Sequence, residues 1–347
     1  MIKEAITHLV NKEELSKETV EQVMEEIMTG QASQMLMASY LTALAEKGET
    51  VNEITASALG MRKVGTPLNH KGSVFEIVGT GGDRSNSFNI STTASIVIAS
   101  AGVKVAKHGN RAASSKSGAA DCLEAMGVNI GLEAEEMAQV LEECGICFMF
   151  AQKYHSAMRF VGPVRKELGI RTVFNILGPL TNPAAADMQV MGVFSEEYLE
   201  TLARVLYNLG VKRGMTVYGT DKLDEVSISA PTKICEFSDN NGGPEFKTYT
   251  IAPENFGIKT ASKEEITGGT GEENAKITMG ILNGQIKGAK RDVVLLNSAC
   301  GLYISGKADS INDGVKLAAE LIDSGAALRK AEQFISATNK FKGGKTA

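Results

Sequence analysis

Two polar runs that follow apolar segments have the residue types of an anion-binding site. The first, GTGGD at residues 79–83, comes directly after an apolar strand pattern, and the second, NISTT at residues 89–93, stands where a helical pattern begins. Glycines after a strand let backbone N–H groups approach a ligand closely, and hydroxyls at a helix N-terminus add donors at the positive end of the helix dipole. The two runs predict an anion cradle, which lacks the spacing of a P-loop or of a dinucleotide-binding fingerprint. A tight turn followed by a serine N-cap is the purely structural alternative.

A basic run without acidic residues follows at residues 104–120 (KVAKHGNRAASSKSGAA). It contains His108 and four cationic side chains, those of Lys104, Lys107, Arg111 and Lys116. Lysine charge, the guanidinium fork and backbone amides are together typical of phosphate recognition. Because the whole chain has a net charge of −5, this local positive charge predicts a phosphate pocket. A solvated basic loop is the alternative.

An adjacent pair of carboxylates, Asp224 and Glu225, follows a predicted strand at residues 215–218. Mg²⁺ in proteins typically takes one or two carboxylates plus substrate phosphates and keeps several waters. Adjacent acids are common on protein surfaces, so this pair predicts a metal site only in combination with the two phosphate-type runs.

Arg165 lies in a helical segment, FVGPVR at residues 160–165, and a long Gly/Pro loop, NILGPLTNP at residues 175–183, follows it. This order suggests a segment that crosses between the helical and the α/β parts of the chain. A lone arginine most often belongs to a surface ion pair, so the residues alone leave its role open.

The five cysteines, at positions 122, 144, 147, 235 and 300, are too few and odd in number for a disulfide framework in a chain of this size. Cys144 and Cys147 have C-x-x-C spacing, but the first closes a predicted helix and the second lies in an apolar strand. We therefore expect buried thiols rather than a redox or zinc pair.

The elements that position these residues fall into two groups. Residues 1 to about 68 show helical periodicity throughout, and three short amphipathic helices are predicted there, the third opening with a Thr50–Glu53 capping box. After Pro67, strands at 74–78, 103–106, 146–150, 188–194 and 215–218 alternate with helices, and residues 271–338 return to helical periodicity. This alternation predicts a mainly parallel sheet covered by helices, with sites at the carboxyl ends of its strands.

Composition limits the remaining classes. The chain has 347 residues, 43% of them apolar and 22% charged, which excludes disordered, collagen-like and coiled-coil proteins. A net charge of −5 argues against a general nucleic-acid or membrane binder. Because the N-terminus lacks a signal-peptide pattern and no run approaches a spanning length, we expect a soluble, cytoplasmic protein.

Taken in order, these motifs closely resemble those of the anthranilate phosphoribosyltransferase family of tryptophan biosynthesis. Six motifs stand in the family's order and spacing over essentially the whole chain: GTGGD, the NIST turn, KHGNR, SSKSG-x-x-D, NILGPLTNP and the adjacent Asp–Glu pair. The resemblance implies transfer of phosphoribose from 5-phosphoribosyl 1-pyrophosphate (PRPP) to anthranilate with release of pyrophosphate, and Mg²⁺ as the cofactor. It also implies a small all-helical N-terminal domain plus a larger α/β domain with a mainly parallel central sheet flanked by helices.

The resemblance carries the following residues over. The PRPP site would comprise Gly79, Gly82, Asp83, Ser87, Asn89, Ile90, Ser91, Thr92, Lys107, His108, Gly109, Asn110, Arg111, Ala112, Ala113, Ser114, Ser115 and Ala119. Anthranilate would meet Gly79, Asn110 and Arg165, and the metal would meet Ser91, Asp224 and Glu225. No catalytic base is assigned, although His108 is a candidate for late proton transfer. Ser87 stands where the family often has Thr and keeps the hydroxyl, whereas Ala119 stands where it often has Ser and removes one phosphate contact.

The resemblance further implies a helical domain at residues 1–70, joined by the 165–185 segment, and a PRPP-binding domain at residues 71–347, with a homodimer formed through the helical parts. Neither nucleic acid nor a membrane is expected as a partner. Two alternatives stay open from the residues. One is an enzyme like the pyrimidine nucleoside phosphorylases, which share the fold, and the other is a non-catalytic relative that binds nucleic acid in its basic cleft.

Overall fold

A computed structural model describes residues 1–112, 116–240 and 243–343. Its first 65 residues form four helices, α1 (Ile2–Val10), α2 (Lys17–Met28), α3 (Gln34–Lys47) and α4 (Val51–Val64). The Thr50–Glu53 capping box is present at α4, as predicted. The prediction of three helices was one too few, because α1 also folds, burying Ile2, Ala5 and Leu9 along one face.

A seven-stranded sheet forms the centre of the remaining described chain, in the order β3-β2-β1-β4-β5-β6-β7. The five predicted strands are parallel neighbours: β1 (Phe75–Gly79), β2 (Val105–Gly109), β3 (Ile146–Phe150), β4 (Met188–Gly192) and β5 (Arg213–Gly219). An antiparallel hairpin, β6 (Thr232–Asn240) and β7 (Gly243–Ile251), completes one edge. Residues 241 and 242, in the turn predicted there, lie outside the described residues.

Helices flank this sheet, as the fold prediction requires. They are α5 (Ile90–Ser100), α6 (Ala119–Ala125), α7 (Ala134–Cys144), α8 (Ala151–Tyr154), α9 (Met158–Leu168), α10 (Phe174–Leu177), α11 (Tyr198–Asn208), α12 (Gly271–Leu282), α13 (Ala289–Ile304), α14 (Ile311–Asp323) and α15 (Ala326–Asn339). In the described chain no helix has the length and apolar character needed to cross a membrane.

Two apolar cores lie on opposite sides of the sheet. One contains α5, α13 and α15 and includes Ile96, Leu296 and Phe334. The other joins the N-terminal helices to α9, α10 and α11 and to Met191 and Phe237 of the sheet. The segment around α9 and α10 therefore packs with the N-terminal helices, although it follows three strands of the sheet in sequence.

The five cysteines are all buried and free, which confirms the expectation of buried thiols. Burial raises the pKa of both Cys144 and Cys147, so neither thiol has the character of a reactive thiolate.

Candidate active site

A cavity of about 710 Å³ opens at the carboxyl ends of the parallel strands. Residues at or just after the carboxyl ends of β1, β2, β3 and β5 line it, together with residues of α9 and α10. Met61 of α4 also reaches the cavity, so both apolar cores contribute to its walls. This is the position that the parallel-sheet rule predicts for a ligand site.

The glycine-rich loop approaches the acidic pair too closely for a side chain to fit. A Cβ built on Gly79 would lie 2.3 Å from Oδ2 of Asp224. Gly81 and Gly82 have φ values of +72° and +77°, which favour glycine. The carbonyl of Gly82 accepts a hydrogen bond of 2.9 Å from the Arg171 guanidinium, which lies 3.8 Å from the ring centre of Phe194. The loop is thus held from both sides.

Asp224 and Glu225 are buried, 8% and 9% exposed, and face the two phosphate-type loops. Oδ2 of Asp224 accepts from the Gly81 N–H over 2.6 Å, and Oε1 of Glu225 accepts from the Ser91 N–H over 2.9 Å. Burial, reinforced by the neighbouring carboxylates, raises the pKa of both side chains. Concentrated negative charge of this kind favours a bound cation.

These side chains fit Mg²⁺ held jointly by protein and substrate. Among the described residues no group of three or more His, Cys, Asp or Glu side chains is placed to hold a metal ion by itself. The pair nevertheless offers carboxylate oxygens, and the buried Oδ2 of Asp83 has no hydrogen-bond partner in the described chain. Mg²⁺ typically completes its shell with water and substrate phosphates, so two carboxylates are sufficient.

The basic run contributes less charge to the cavity than its sequence predicts. Lys104 precedes β2 and pairs with Glu142 over 2.6 Å, outside the cavity. Lys116 is exposed and does not line the cavity either. The described cationic side chains of this run that line it are Lys107 and Arg111.

Lys107 is the buried cation of the site. Its Nζ donates to the Ile77 carbonyl over 2.7 Å and to Oγ of Ser91 over 3.4 Å. Burial lowers the pKa of the Lys107 ammonium, while the carboxylates of Glu76 and Glu225 act in the opposite direction. A desolvated ammonium close to a helix start suits an anionic ligand.

Arg111 lines the cavity but is occupied by acids in this structure. Its guanidinium donates to Glu124 over 2.8 and 3.1 Å and to Oδ1 of Asp121 over 2.9 Å. Oδ2 of Asp121 also accepts from the N–H groups of Ala112 and Gly118, each over 2.9 Å. The acid-free run is therefore followed by two acids that fold back on it.

Four consecutive carbonyls of residues 178–181 each accept a hydrogen bond from a different side chain. The donors to Gly178, Pro179, Leu180 and Thr181 are, in that order, His108, Gln189, Arg62 and His155, over 3.3, 2.9, 2.9 and 2.9 Å. They come from separate elements, so the crossing loop predicted at NILGPLTNP is fixed by side chains of both the N-terminal helices and the sheet.

His108 is a weak proton acceptor in this arrangement. Because a carbonyl only accepts, Nδ1 of His108 carries the proton donated to Gly178, which leaves Nε2 with its lone pair. The His155 ring stands edge-on at 5.1 Å. Burial, followed by the effect of His155, lowers the pKa of His108 to about 3. The imidazole therefore binds a proton poorly at neutral pH.

Arg165 lies on α9, half-buried, and lines the cavity. Its guanidinium lies 5.5 Å from the ring centre of Phe174, and burial lowers its pKa. Among the described residues no carboxylate is within ion-pair distance of it. The surface ion pair that a lone arginine usually makes is not what the structure shows, so its charge faces the cavity uncompensated.

The cavity brings together nearly all of the described candidate residues. Its lining includes Gly79, Gly82, Asp83, Ser87, Asn89, Ser91, Thr92, Lys107, His108, Gly109, Asn110, Arg111, Ala112, Ala119, Arg165, Asp224 and Glu225. Ile90 is the exception, because its side chain is buried in an apolar core and its N–H donates to the Phe88 carbonyl. Ala113, Ser114 and Ser115 lie outside the described residues.

Several lining residues were missed by the sequence reasoning. They include Met61, Arg84, Gln152, His155, Met158 and Phe174. A signal existed for Gln152 and His155, which closely follow the predicted strand at 146–150 and so belong to the carboxyl edge of the sheet. No sequence signal pointed to Met61, because its position in the cavity wall depends on how the N-terminal helices pack.

Comparison with known proteins identifies one family over most of the chain. Residues 3–65 match the helical bundle domain of a glycosyl transferase family, and residues 71–328 match the a/b domain of that family. The anthranilate phosphoribosyltransferase of Methanobrevibacter smithii is 58% identical over 339 residues, which cover 98% of this chain and 100% of the relative.

Solved structures agree with this family. The anthranilate phosphoribosyltransferase of Thermus thermophilus superimposes with a TM-score of 0.90 at 43% identity and covers 96% of this chain and 99% of its own. The Saccharomyces cerevisiae enzyme, in complex with PRPP and Mg, has a TM-score of 0.90 at 27% identity, with 98% of each chain covered. These findings do not support the nucleoside phosphorylase and nucleic-acid-binding alternatives. Because two family models match residues 3–65 and 71–328 and a 58% identical relative covers 98% of it, the chain belongs to the anthranilate phosphoribosyltransferase family.

Proposed function

We propose that this chain transfers the phosphoribosyl group of PRPP to the amino group of anthranilate, giving N-(5-phosphoribosyl)anthranilate and pyrophosphate, in L-tryptophan biosynthesis. The observation that carries the proposal is a single cavity lined by two kinds of group. Phosphate-type loops, Lys107 and a buried carboxylate pair belong to it, and so does Arg165, which has no carboxylate partner among the described residues.

In this proposal the glycine-rich loop, the loop before α5 and the described residues 107–112 and 119 hold PRPP. Ala119 offers its backbone where a serine would add a hydroxyl. The relative from S. cerevisiae that was solved with PRPP and Mg supports this use of the site. Asp224, Glu225 and Ser91 would hold Mg²⁺, which supplies electrostatic stabilisation to the pyrophosphate when bound.

Arg165 would pair with the carboxylate of anthranilate, with Gly79 and Asn110 as further contacts. The arylamine is neutral at pH 7 because its lone pair is delocalised into the ring, so it needs positioning more than deprotonation. This requirement agrees with a site in which His108 is a weak proton acceptor. We assign no catalytic base.

Cleavage of the ribose–pyrophosphate bond should build oxocarbenium character at the anomeric carbon, as in other glycosyl transfers. The negative charge that develops on the leaving pyrophosphate would be met by Lys107, by Arg111 once released from Glu124, and by the positive end of the α5 dipole. The protein's main contribution is then a preorganised positive environment on the leaving-group side.

The domain division and the assembly are part of the same proposal. Residues 1–70 with the 165–185 segment would form the helical domain, and residues 71–347 the PRPP-binding domain. The packing of α9 and α10 with the N-terminal helices supports this division. A cytoplasmic homodimer joined through the helical parts is proposed from the family resemblance.

The activity is tested by following the loss of anthranilate fluorescence in the presence of PRPP and Mg²⁺, with each omitted in turn. We expect the signal to fall only in the complete mixture, with one pyrophosphate released per anthranilate consumed. Consumption of inorganic phosphate with a nucleoside, and no pyrophosphate release, would instead identify a nucleoside phosphorylase.

A further inference from the structure

The loop before α5 is covered by a segment from much later in the chain. Residue Ser87 forms a β-bridge with Thr267, and the Phe88 N–H donates to the Ile266 carbonyl over 3.1 Å. Gly268 packs so closely that a Cβ there would lie 2.6 Å from Cα of Phe88. The 264–274 segment therefore determines where this part of the proposed PRPP site can lie.

Asn274, near the start of α12, is the most buried polar residue of this segment. It is 1% exposed. Its Oδ1 accepts from the Gly269 N–H over 2.8 Å, and its Nδ2 donates to Oδ1 of Asn89 over 2.8 Å. Asn89 lines the cavity, whereas Asn274 does not, so the contact links the site to the helix behind it.

The contacts of Asn274 fix which atom of Asn89 is its oxygen. Because a backbone N–H only donates, the Asn274 atom facing Gly269 is the oxygen and the one facing Asn89 is the nitrogen. That nitrogen only donates, so the Asn89 atom it meets is the oxygen, which also accepts from Oγ of Ser117 over 3.1 Å. The remaining atom of the Asn89 amide is the nitrogen. Among the described residues this nitrogen donates to the Ser117 carbonyl, at 3.5 Å. That contact uses one of the two hydrogens of the Asn89 amide nitrogen.

We infer that Asn274 is a positioning residue that fixes the Asn89 amide with its NH₂ group directed to the anion in the cavity and its oxygen directed away. This inference rests on the proposed function, in which Asn89 contacts PRPP. Without Asn274 the Asn89 amide keeps, among the described residues, only its contacts with Ser117, at 3.1 and 3.5 Å. A rotation by half a turn is then less strongly opposed, and it places the amide oxygen against a phosphate oxygen, which repels it. The contribution of Asn274 to anion binding passes entirely through Asn89.

The same helix provides a matched control. Thr278, one turn beyond Asn274, is fully buried and its hydroxyl lies 2.8 Å from Oγ1 of Thr93 on α5. The Thr278→Val substitution removes a buried polar contact between the same two helices and leaves the amide of Asn89 untouched. It reports the cost of loosening α12 against α5 without changing the polarity of the site.

The test is a double-mutant cycle of Asn274→Ala and Asn89→Ala, with Thr278→Val as the control. The readouts are the Kd for inorganic pyrophosphate with Mg²⁺, by calorimetry, and the KM for PRPP and for anthranilate. Asn89 makes no side-chain cap to α5, so its replacement does not remove a helix cap. Should Asn274→Ala fail to fold, Asn274→Asp takes its place, since it keeps the acceptor for Gly269 and removes the donor to Asn89.

We expect each single variant to raise the Kd for pyrophosphate about tenfold, the lower end for a hydrogen bond to a charged group. The double variant should have a Kd for pyrophosphate no higher than that of the weaker-binding single variant. The KM for anthranilate should stay unchanged in all three variants. Thr278→Val should bind pyrophosphate with the wild-type Kd. Effects that multiply in the double variant, or an equal loss in Thr278→Val, would overturn the inference and leave Asn274 a purely structural residue. For Asn274→Asp, the increase in the Kd is compared in the wild-type and the Asn89→Ala backgrounds. Repulsion between the added carboxylate and pyrophosphate is present in both backgrounds, so only the difference between the two increases reports the loss of the contact with Asn89. A wild type that binds pyrophosphate but does not consume anthranilate would instead overturn the proposed function.

Discussion

The backbone N–H of Gly81 donates a hydrogen bond of 2.6 Å to Oδ2 of Asp224, which lies 143 residues further along the chain. This contact joins the loop after β1 to the acidic pair after β5, although β4 lies between those strands. Gly192 at the end of β4 permits it, because a Cβ there would lie 1.6 Å from the Asp224 carbonyl oxygen. The proposed phosphate loop and the proposed cation ligands are therefore one connected unit, and removing the carboxylates should affect both.

Replacing Asp224 with Asn and Glu225 with Gln should weaken the dependence of turnover on Mg²⁺. Loss of even an outer partner of a metal site typically costs about 10- to 100-fold in affinity, so we expect the half-saturating Mg²⁺ concentration to rise at least about tenfold. The measurement is initial rate against Mg²⁺ concentration at saturating PRPP. Asp221→Asn is the matched control, because Asp221 lies in the same loop but does not line the cavity. An unchanged Mg²⁺ curve in the double variant would remove these residues from the metal site.

Arg165→Ala should raise the KM for anthranilate far more than the KM for PRPP. A hydrogen-bonded ion pair contributes about 1.5–3 kcal/mol, so an increase of about 10- to 100-fold is expected. Lys166→Ala is the matched control, since it removes a positive charge from the adjacent, exposed position of α9 and should leave both constants near wild type. A larger rise in the KM for PRPP than in that for anthranilate would exclude Arg165 from the carboxylate role.

Glu124→Gln should tighten the binding of pyrophosphate. Arg111 pairs with both Glu124 and Asp121 in this structure, so Glu124 would compete with a phosphate for the guanidinium. Exposed ion pairs are worth about 0.2–1 kcal/mol. The Kd measured by calorimetry should therefore fall by at most about fivefold. Glu143→Gln, which breaks an exposed pair with Lys340 elsewhere on the molecule, should have no effect. Weaker binding in Glu124→Gln would mean that Glu124 holds Arg111 in its binding position rather than competing for it.

Sequence patterns were sufficient where a contact is local or where an element end fixes a residue's place. The capping box of α4 was predictable because it depends on spacing within one element. The parallel strands and the grouping of loops at their carboxyl edge were predictable because they depend on the order of strands and helices along the chain. Lys104 shows the limit of this reasoning. It precedes β2, and at about 3.3 Å per residue it lies some 16 Å from Gly109 at the other end of the strand. The number of positive charges in residues 104–120 led us to expect Lys104 in the phosphate pocket. In the structure it lies at the amino end of β2, whereas the cavity lies at the carboxyl end.

The parts that could not be predicted are contacts between distant segments. Asn274 meets Asn89 across 185 residues, and Arg62 meets the Leu180 carbonyl across 118. Neither residue belongs to a motif, and an asparagine near a helix start or an arginine near a helix end has an ordinary local explanation. Their roles arise from packing, which decides whether the side chain faces solvent or another loop.

Lowering the pH from 8 to 5 should remove the contribution that the buried, neutral imidazoles make to the stability of the fold. Burial lowers the pKa of His108 to about 3 and also lowers that of His155, whereas a histidine in the unfolded chain titrates near 6.5. Between pH 6.5 and 3 the unfolded state therefore binds a proton at His108 that the folded state does not. The contribution of His108 to the free energy of unfolding is therefore fully present above pH 6.5 and is lost progressively as the pH falls through this range. The expected loss from His108 at pH 5 is about 2 kcal/mol of unfolding free energy.

Denaturant unfolding of wild type and His108→Gln at pH 8 and pH 5 measures this loss. At pH 8 the imidazole is neutral in both states, so the difference between the proteins gives the cost of the substitution itself, including the changed contacts with Gly178 and His155. At pH 5 the wild type should have lost about 2 kcal/mol more than the variant, because glutamine does not titrate. Equal losses in the two proteins would show that His108 takes up a proton in the folded state, and would return it to consideration as a proton acceptor in the reaction.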